Sequence, residues 1–345
     1  MRQALIITLV PLLLILGGCR TAPQASFPVL SGPYLGQSTP GADSQIFAEG
    51  IVSTAMYERD VAVLPDGKEF YYGLLDGNYA VIVESKLVNG RWTEPELAPF
   101  SSNPQFRNLE PHIAPDGQKF FFLSTRPQEG QEAKPGWTYQ DIWAMDRTAD
   151  GWSEPYNLGP PVNTDEPEYY PSVTAGGTLY FTRGTQNQYI YRARLVDGRY
   201  AEPEKLPEQV NASGMQYNAC IAPDESYLIV CTRPASGAIG RADYCVCFRS
   251  ADDRWSPPIN LGPKVNTPGC SAMSPFITAD GKYFFFSSQR QRPLSPVYSQ
   301  EKFTLQDLKD EFALDFSRPG NGYFDIYWMD TSLIDSLKQD YYGNN

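Results

Sequence analysis

Short apolar runs alternate with tight polar turns along most of this chain, and their spacing predicts strands rather than helices. The stretch from Glu110 to Ala114 reads as one strand, which Pro115-Asp116-Gly117 reverses. Gln118 to Arg126 is aromatic at consecutive positions, which predicts a strand buried on both faces. Asp141 to Asp146 reads as a third strand, and Asp150-Gly151 turns the chain into a fourth, from Trp152 to Gly159. Pro-Asp-Gly and Asp-Gly between apolar runs are hairpin signals, because proline presets φ and glycine accepts a positive one.

The same plan recurs five times. Its turn reads Val61-Ala-Val-Leu-Pro-Asp-Gly67, Pro111-His-Ile-Ala-Pro-Asp-Gly117, Pro171-Ser-Val-Thr-Ala-Gly-Gly177, Ala219-Cys-Ile-Ala-Pro-Asp-Glu225 and Pro275-Phe-Ile-Thr-Ala-Asp-Gly281. Turn positions 66, 116, 176, 224 and 280 are 50, 60, 48 and 56 residues apart. Four strands plus loops of variable length fill that spacing, which predicts an all-β propeller of four-stranded blades. Five turns predict five blades; a sixth, degenerate unit over residues 45–53 is the alternative. The fifth copy ends near Asp330 without a fourth strand. Ser31-Gly-Pro-Tyr-Leu-Gly36 resembles Ser153-Glu-Pro-Tyr-Asn-Leu-Gly159, so an N-terminal outer strand is expected to close the ring and remove its exposed edge.

The beginning of the chain changes the picture. Met1-Arg2-Gln3 precedes an apolar run of about 13 residues, too short to span a bilayer, and then Leu16-Gly17-Gly18-Cys19. This ending resembles the bacterial lipoprotein signal. It implies a leader over residues 1–18, lipidation of Cys19, and a lipid-anchored tether with the closing strand over 19–44. The propeller then occupies 45–330 and a C-terminal tail 331–345. Arg20, rather than an aspartate, after the cysteine points to the outer membrane. With 40 acidic against 28 basic residues, the net charge of -12 excludes nucleic acid as the main partner and leaves the lipid anchor as the link to a membrane. An envelope compartment permits disulfides. Among Cys220, Cys231, Cys245, Cys247 and Cys270, the pair Cys231–Cys245 is a candidate, if they lie opposite each other on adjacent strands.

The Pro-Asp-Gly turn, the aromatic second strand ending in arginine, and third strands such as Asp325-Ile-Tyr-Trp328 resemble TolB-type propeller repeats, a branch of the WD-repeat-like group. The link Asn157-Leu-Gly-Pro-Pro-Val-Asn-Thr164, repeated as Asn260-Leu-Gly-Pro-Lys-Val-Asn-Thr267, is similar to blades of envelope lipoproteins that carry an OmpA-like domain. Some of those serve in secretion, so the resemblance implies an envelope role.

Antiparallel connectivity puts the uniform turns on one face and loops of very unequal length on the other, where binding is expected. At the start of the inner strands stand Asp60, Glu110, Tyr170, Asn218 and Ser274, and two residues earlier Glu58, Asn108, Glu168, Gln216 and Ala272. In a ring these would crowd the channel mouth with carboxylates, amides and a phenol, able to hold calcium, a sugar or a peptide amine. The longest loop predicts a helix capped at Thr304, with Leu305, Leu308 and Phe312 on one face, as a lid or docking element. Arg126, Arg233 and Arg290 are expected to pair with Asp141, Asp243 and Asp325 as loop braces. His112 is the one histidine and is aligned with Ala62, Ser172, Cys220 and Phe276, so it reads as a packing residue between blades. These features favour a non-catalytic binding propeller with a protein or glycan partner. The alternatives are a carbohydrate-active enzyme using the rim carboxylates and an accessory component of a secretion machine.

Overall fold

Each repeated turn closes through a backbone hydrogen bond, from Gly67 N to Leu64 O at 2.7 Å, Gly117 N to Ala114 O at 2.8 Å and Gly281 N to Thr278 O at 2.8 Å. The turn aspartate accepts from the amide two residues on, as Asp66 Oδ1 does from Lys68 N at 3.0 Å. The last turn position has a positive φ, +70° at Gly67 and +71° at Gly117, which explains its glycine. The computed structural model describes residues 26–343 apart from 78, 213–214, 234–236, 294, 296 and 298–301. The leader, Cys19 and the first tether residues lie outside the described residues.

The turns fold the chain into five small antiparallel blades. The inner strands are Glu58–Val63, Asn108–Ile113, Glu168–Val173, Gln216–Ile221 and Phe276–Ile277. Each packs against the next, and Phe276–Ile277 returns to Glu58–Val63, so the ring is closed. The second strands are Glu69–Asp76, Lys119–Ser124, Leu179–Arg183, Tyr227–Thr232 and Tyr283–Ser288. The third are Tyr79–Val88, Asp141–Thr148, Tyr189–Ala193, Asp243–Phe248 and Asp325–Asp330. The doubly aromatic second strands are buried on both sides. Phe120 and Phe122 pack toward the first blade with Tyr71 and Ile82, whereas Phe121 packs toward the third with Phe181.

The fifth blade is closed from the N-terminal side, but by Gln45–Ile46, which pairs with Trp328 and Tyr327, and not by residues 31–36. The same pairing removes the six-bladed alternative, because 45–46 is the outer strand of blade five. Residues 30–32 instead continue the outer edge of blade one: Trp92 N donates to Leu30 O at 3.0 Å and the Trp92 indole to Gly32 O at 2.7 Å.

One side-chain device recurs in every blade. The outer strand is only two residues long, so one residue of the third strand, the second in blades two to five and the fourth in blade one, needs another partner. Asn163 supplies it for Ile142, accepting from its N at 3.0 Å and donating to its O at 2.9 Å. Asn211 does so for Ile190 and Asn266 for Tyr244. Ser53 serves Ile326, and Ser101 accepts from Ile82 N. The repeated asparagine links seen in the sequence therefore complete the sheet edge.

The C-terminal tail holds a helix, Ser332–Gly343; Ile334 is buried and Leu333, Leu337 and Tyr341 pack beside it on blades four and five. Several other expectations need correction. The insertion helix, α1, spans Leu305–Asp315 with the expected cap, Asp307 N donating to Thr304 Oγ1 at 3.1 Å. None of its residues is buried, and Leu305 and Phe312 are exposed, so it does not lie on the propeller as a lid. All five described cysteines are buried and free. Cys231 faces Tyr244 across the hairpin and Cys245 faces Val230, so the two thiols point to opposite sides of the sheet.

The arginines do not brace the aspartates either. Arg183 donates to Val162 O at 2.9 Å, Arg290 to Lys264 O at 2.8 Å and Val265 O at 3.0 Å, and Arg126 to Phe100 O. Each thus ties down the link arriving from the preceding blade. Each also lies over aromatic rings of its own blade, Arg290 4.6 Å from the Tyr327 centroid. The aspartates turn the other way: Asp141 accepts from Gln128 and Asn157, and Asp243 from Gly240 N and Asn260.

Candidate functional site

The inner strands of blades one to four break the alternation of their sequence at their third residue. Asp60, Glu110, Tyr170 and Asn218 have φ values of +54°, +60°, +54° and +49°, and strand pairing shifts at each. Such a conformation costs a non-glycine residue about 1–3 kcal/mol, so the surroundings must hold it. They do so by stitching blades together. Asp60 Oδ2 accepts from Glu110 N at 3.2 Å, and Glu110 Oε2 accepts from Tyr170 N at 2.7 Å. Asn218 N donates to Thr182 Oγ1 at 2.9 Å, and the Tyr170 hydroxyl to Pro275 O at 3.0 Å. Ser274 Oγ closes the circuit on Asp60 Oδ1 at 2.6 Å.

The bulge has a consequence for which side chains reach the axis. Alternation would send residue 59 away from the face shared by 58 and 60; the extra residue turns it inward. Arg59, Leu109, Tyr169, Tyr217 and Met273, the equivalent positions of the five blades, together line an axial cavity of about 400 Å³. Trp137, Gln140, Thr185, Gln188 and Arg233 complete its wall from the loops of unequal length. Of the ten rim residues singled out from the sequence, Glu110 and Asn218 line this cavity. The other eight are placed elsewhere. The axial ring was missed because strict period-two reading does not register a bulge; its signal was the run of large side chains between the two polar positions.

The cavity is polar in an uneven way. Arg59 is nearly buried and bonded to Asp60 at 2.8 Å and to Glu110 at 3.0 Å. Burial pushes the Glu110 carboxyl up, while Arg59 pulls it down. Arg233 has no carboxylate partner among the described residues. Asn218 Oδ1 and the Tyr169 hydroxyl are buried with no hydrogen-bond partner among the described residues, which is costly unless something else supplies one.

The remaining tier sits between blades, under the links. Glu168 is buried and satisfied by Thr164 N at 3.0 Å and by Arg183 at 2.7 Å. Asn108 Oδ1 accepts from Ser124 Oγ at 2.9 Å and from Arg126. Gln216 is buried and donates to Thr232 Oγ1 at 3.3 Å. Glu58 differs, because Leu74 stands opposite it where Arg183 stands opposite Glu168. Across the seam between blades five and one it meets Asp325, which lacks the asparagine that Asp141 and Asp243 enjoy. Both carboxyls are pushed up to about 7, each chiefly by burial, and the Glu58 charge adds to the rise at Asp325. Among the described residues no cluster of three or more metal-ligating side chains occurs.

These raised values predict the pH dependence of stability. A carboxyl whose folded pKa lies above its unfolded one favours folding below the unfolded value and loses that contribution as pH rises through the folded one. Stability should therefore fall between about pH 4 and pH 7 on account of this seam. Thermal unfolding of Glu58→Gln and Asp325→Asn should show a higher midpoint than the native chain at pH 8 and no gain at pH 4. A native-like slope in both variants would contradict the assignment. His112 takes no part in this, since burial pushes it down to about 4, and its Nε2 accepts from Val173 N at 3.0 Å across the blade boundary.

No protein-family model matches the sequence, and comparison with curated proteins finds no match. Solved structures resemble it in part. TolB from Acinetobacter baumannii aligns with a TM-score of 0.42 and 15% identity over 79% of this chain and 54% of that one. A puromycin-hydrolyzing peptidase of Mycobacterium tuberculosis aligns at 0.39 and 11% over 67% of this chain and 34% of that one. An α-L-arabinofuranosidase of Podospora anserina aligns at 0.41 and 9% over 84% and 93%. The chain thus spans about half the length of that TolB and about a third of that peptidase. The fold rests on the chain's own strand pairing: five small antiparallel sheets whose inner strands close a ring make it a five-bladed β-propeller.

Proposed function

We propose that the chain is a non-catalytic propeller of a bacterial cell envelope, lipid-anchored at Cys19, which binds a protein or glycan partner at its axial mouth. The observation that carries this reading is the cavity of about 400 Å³, open among the unequal loops and lined by two buried polar atoms that have no partner among the described residues. Its size falls within the range of ligand sites, about 300–1,000 Å³. Binding is favoured over acid–base chemistry because Asp60 and Glu110 are both tied to Arg59 and to the neighbouring blade. The lipid anchor rests on the sequence from Leu16 to Cys19.

The test is affinity capture from detergent-solubilised envelopes with the tagged chain and a Trp137→Ala/Gln188→Ala variant. Both positions lie on loops, so circular dichroism should be unchanged. A partner captured by the native chain and reduced at least about tenfold in the variant is the expected result. Equal capture by both would move the interface away from the axial mouth and overturn the reading.

A further inference from the structure

The chemistry of the axial cavity narrows what it holds. One side is apolar: Leu109 and Leu123 are buried and Leu75 is half-buried, and all three line the cavity. The opposite kind of group is a cation. Arg233 is exposed at the mouth without a carboxylate partner among the described residues, and it lines the same cavity as Arg59, Tyr169 and Tyr217. Arg59 is already neutralised by Asp60 and Glu110, which among the described residues leaves Arg233 as the free positive charge of the site. Between cation and leucines stand Asn218 Oδ1, an acceptor awaiting a donor, and the Tyr169 hydroxyl, able to donate or accept.

An acceptor, a cation and an apolar recess within one cavity match three groups that a protein chain end carries together: an amide N–H, a carboxylate and a side chain. We infer that the axial cavity captures the free carboxyl terminus of a partner polypeptide ending in an apolar residue. In this arrangement Arg233 binds the terminal carboxylate, Asn218 Oδ1 accepts from the last backbone amide, and the last side chain enters the recess of Leu75, Leu109 and Leu123. A free carboxylate suits a guanidinium because the bond is charge-assisted. It also gives the ligand an attraction at the mouth of a protein whose net charge of -12 otherwise repels acidic segments. A neutral sugar fits less well, since three leucines would face its hydroxyls and Arg233 would gain no counter-charge. This inference rests on the reading of the axial mouth as the binding site.

The experiment is fluorescence anisotropy with the detergent-solubilised full chain and labelled Gly-Ser-Gly-Ala-Leu, made either as the free acid or as the terminal amide. The free acid should bind at least about tenfold tighter than the amide, and the advantage should shrink as salt is raised. Changing the last residue to aspartate should weaken binding by about tenfold or more. Arg233→Gln should bring the free acid down to the level of the amide, with Arg233→Lys recovering part of the difference. Because Arg233 is exposed, both variants should keep the native circular dichroism spectrum. Equal affinity for acid and amide, or no binding of either, overturns the inference. Displacement of nothing but a neutral oligosaccharide such as maltotriose would also overturn it, in favour of a glycan. In each of these cases the capture experiment still decides the wider reading: a partner lost in the loop variant retains the axial mouth as a binding site without a role for the chain end.

Discussion

Replacing Arg59 with methionine is expected to cost about 3–5 kcal/mol of folding free energy at pH 7.5. The arginine is nearly buried between Asp60 and Glu110, which are themselves buried. Removing it strands two carboxylates in a place that water hardly reaches, and the cost of breaking such a triad exceeds its net worth when intact. The loss spreads, because each carboxylate also accepts the backbone N–H that holds the next blade's bulge. The effect should depend on pH. Burial already pushes the Glu110 carboxyl up with Arg59 in place, so without the arginine it rises further and binds a proton in weak acid. The variant should therefore lie closer to the native chain at pH 5 than at pH 7.5 in urea unfolding. A deficit below about 1 kcal/mol at pH 7.5 would show that the triad is solvated rather than buried.

The second large effect is expected from a single oxygen atom. Tyr244→Phe should cost about 3–5 kcal/mol, against about 1 kcal/mol for Tyr217→Phe. Among the described residues the Tyr217 hydroxyl makes one bond, to Ala272 O at 2.9 Å. That of Tyr244 is fully enclosed; it donates to Ser287 O at 2.7 Å and accepts from Met273 N at 3.0 Å, Ser287 N at 3.1 Å and Ser274 N at 3.2 Å. The inner strand of blade five is only Phe276–Ile277, so Met273 and Ser274 have no ladder of their own. The phenol of blade four replaces it. Deleting the oxygen leaves buried amides without partners, and the phenylalanine that remains cannot repair this. Urea unfolding of the two variants side by side checks the ranking; equal costs would mean that water takes the place of the Tyr244 oxygen.

How much of this was legible in the sequence follows from the kind of signal each feature leaves. The turns and doubly buried second strands are local, and Pro115-Asp116-Gly117 followed by an aromatic run encodes both directly. The blade count follows from the repetition of that unit. Closure was right in kind and wrong in place: Ser31 to Gly36 copies the letters of an outer strand, but the pairing is decided by what Trp328 and Trp92 offer, and those partners are far away in sequence. The tail helix had a readable pattern in Leu333, Ile334, Leu337 and Tyr341, which fall on one side at helical spacing. The axial ring left only the large side chains between its two polar positions, because a left-handed residue at Asp60 or Glu110 is stabilised by an adjacent blade and carries no mark in its own strand. Likewise, the difference between Glu58 and Glu168 lies in Leu74 and Arg183, residues that only strand register brings opposite them.

The pairing of Gln45–Ile46 with the last blade also sets a timetable. Blades one to four can assemble from neighbours in sequence as the chain lengthens, whereas the ring cannot shut until Asp325–Asp330 has formed and the opposite end of the polypeptide comes back to it. The entropy of joining such distant segments grows only with the logarithm of the distance, so the finished ring loses little stability by this choice, but the search for it delays completion. Until then blade five has an open edge beside Trp328, and the half-made molecule is exposed to pairing with another strand. Where a circle is cut hardly changes the circle, but it decides which bond forms last.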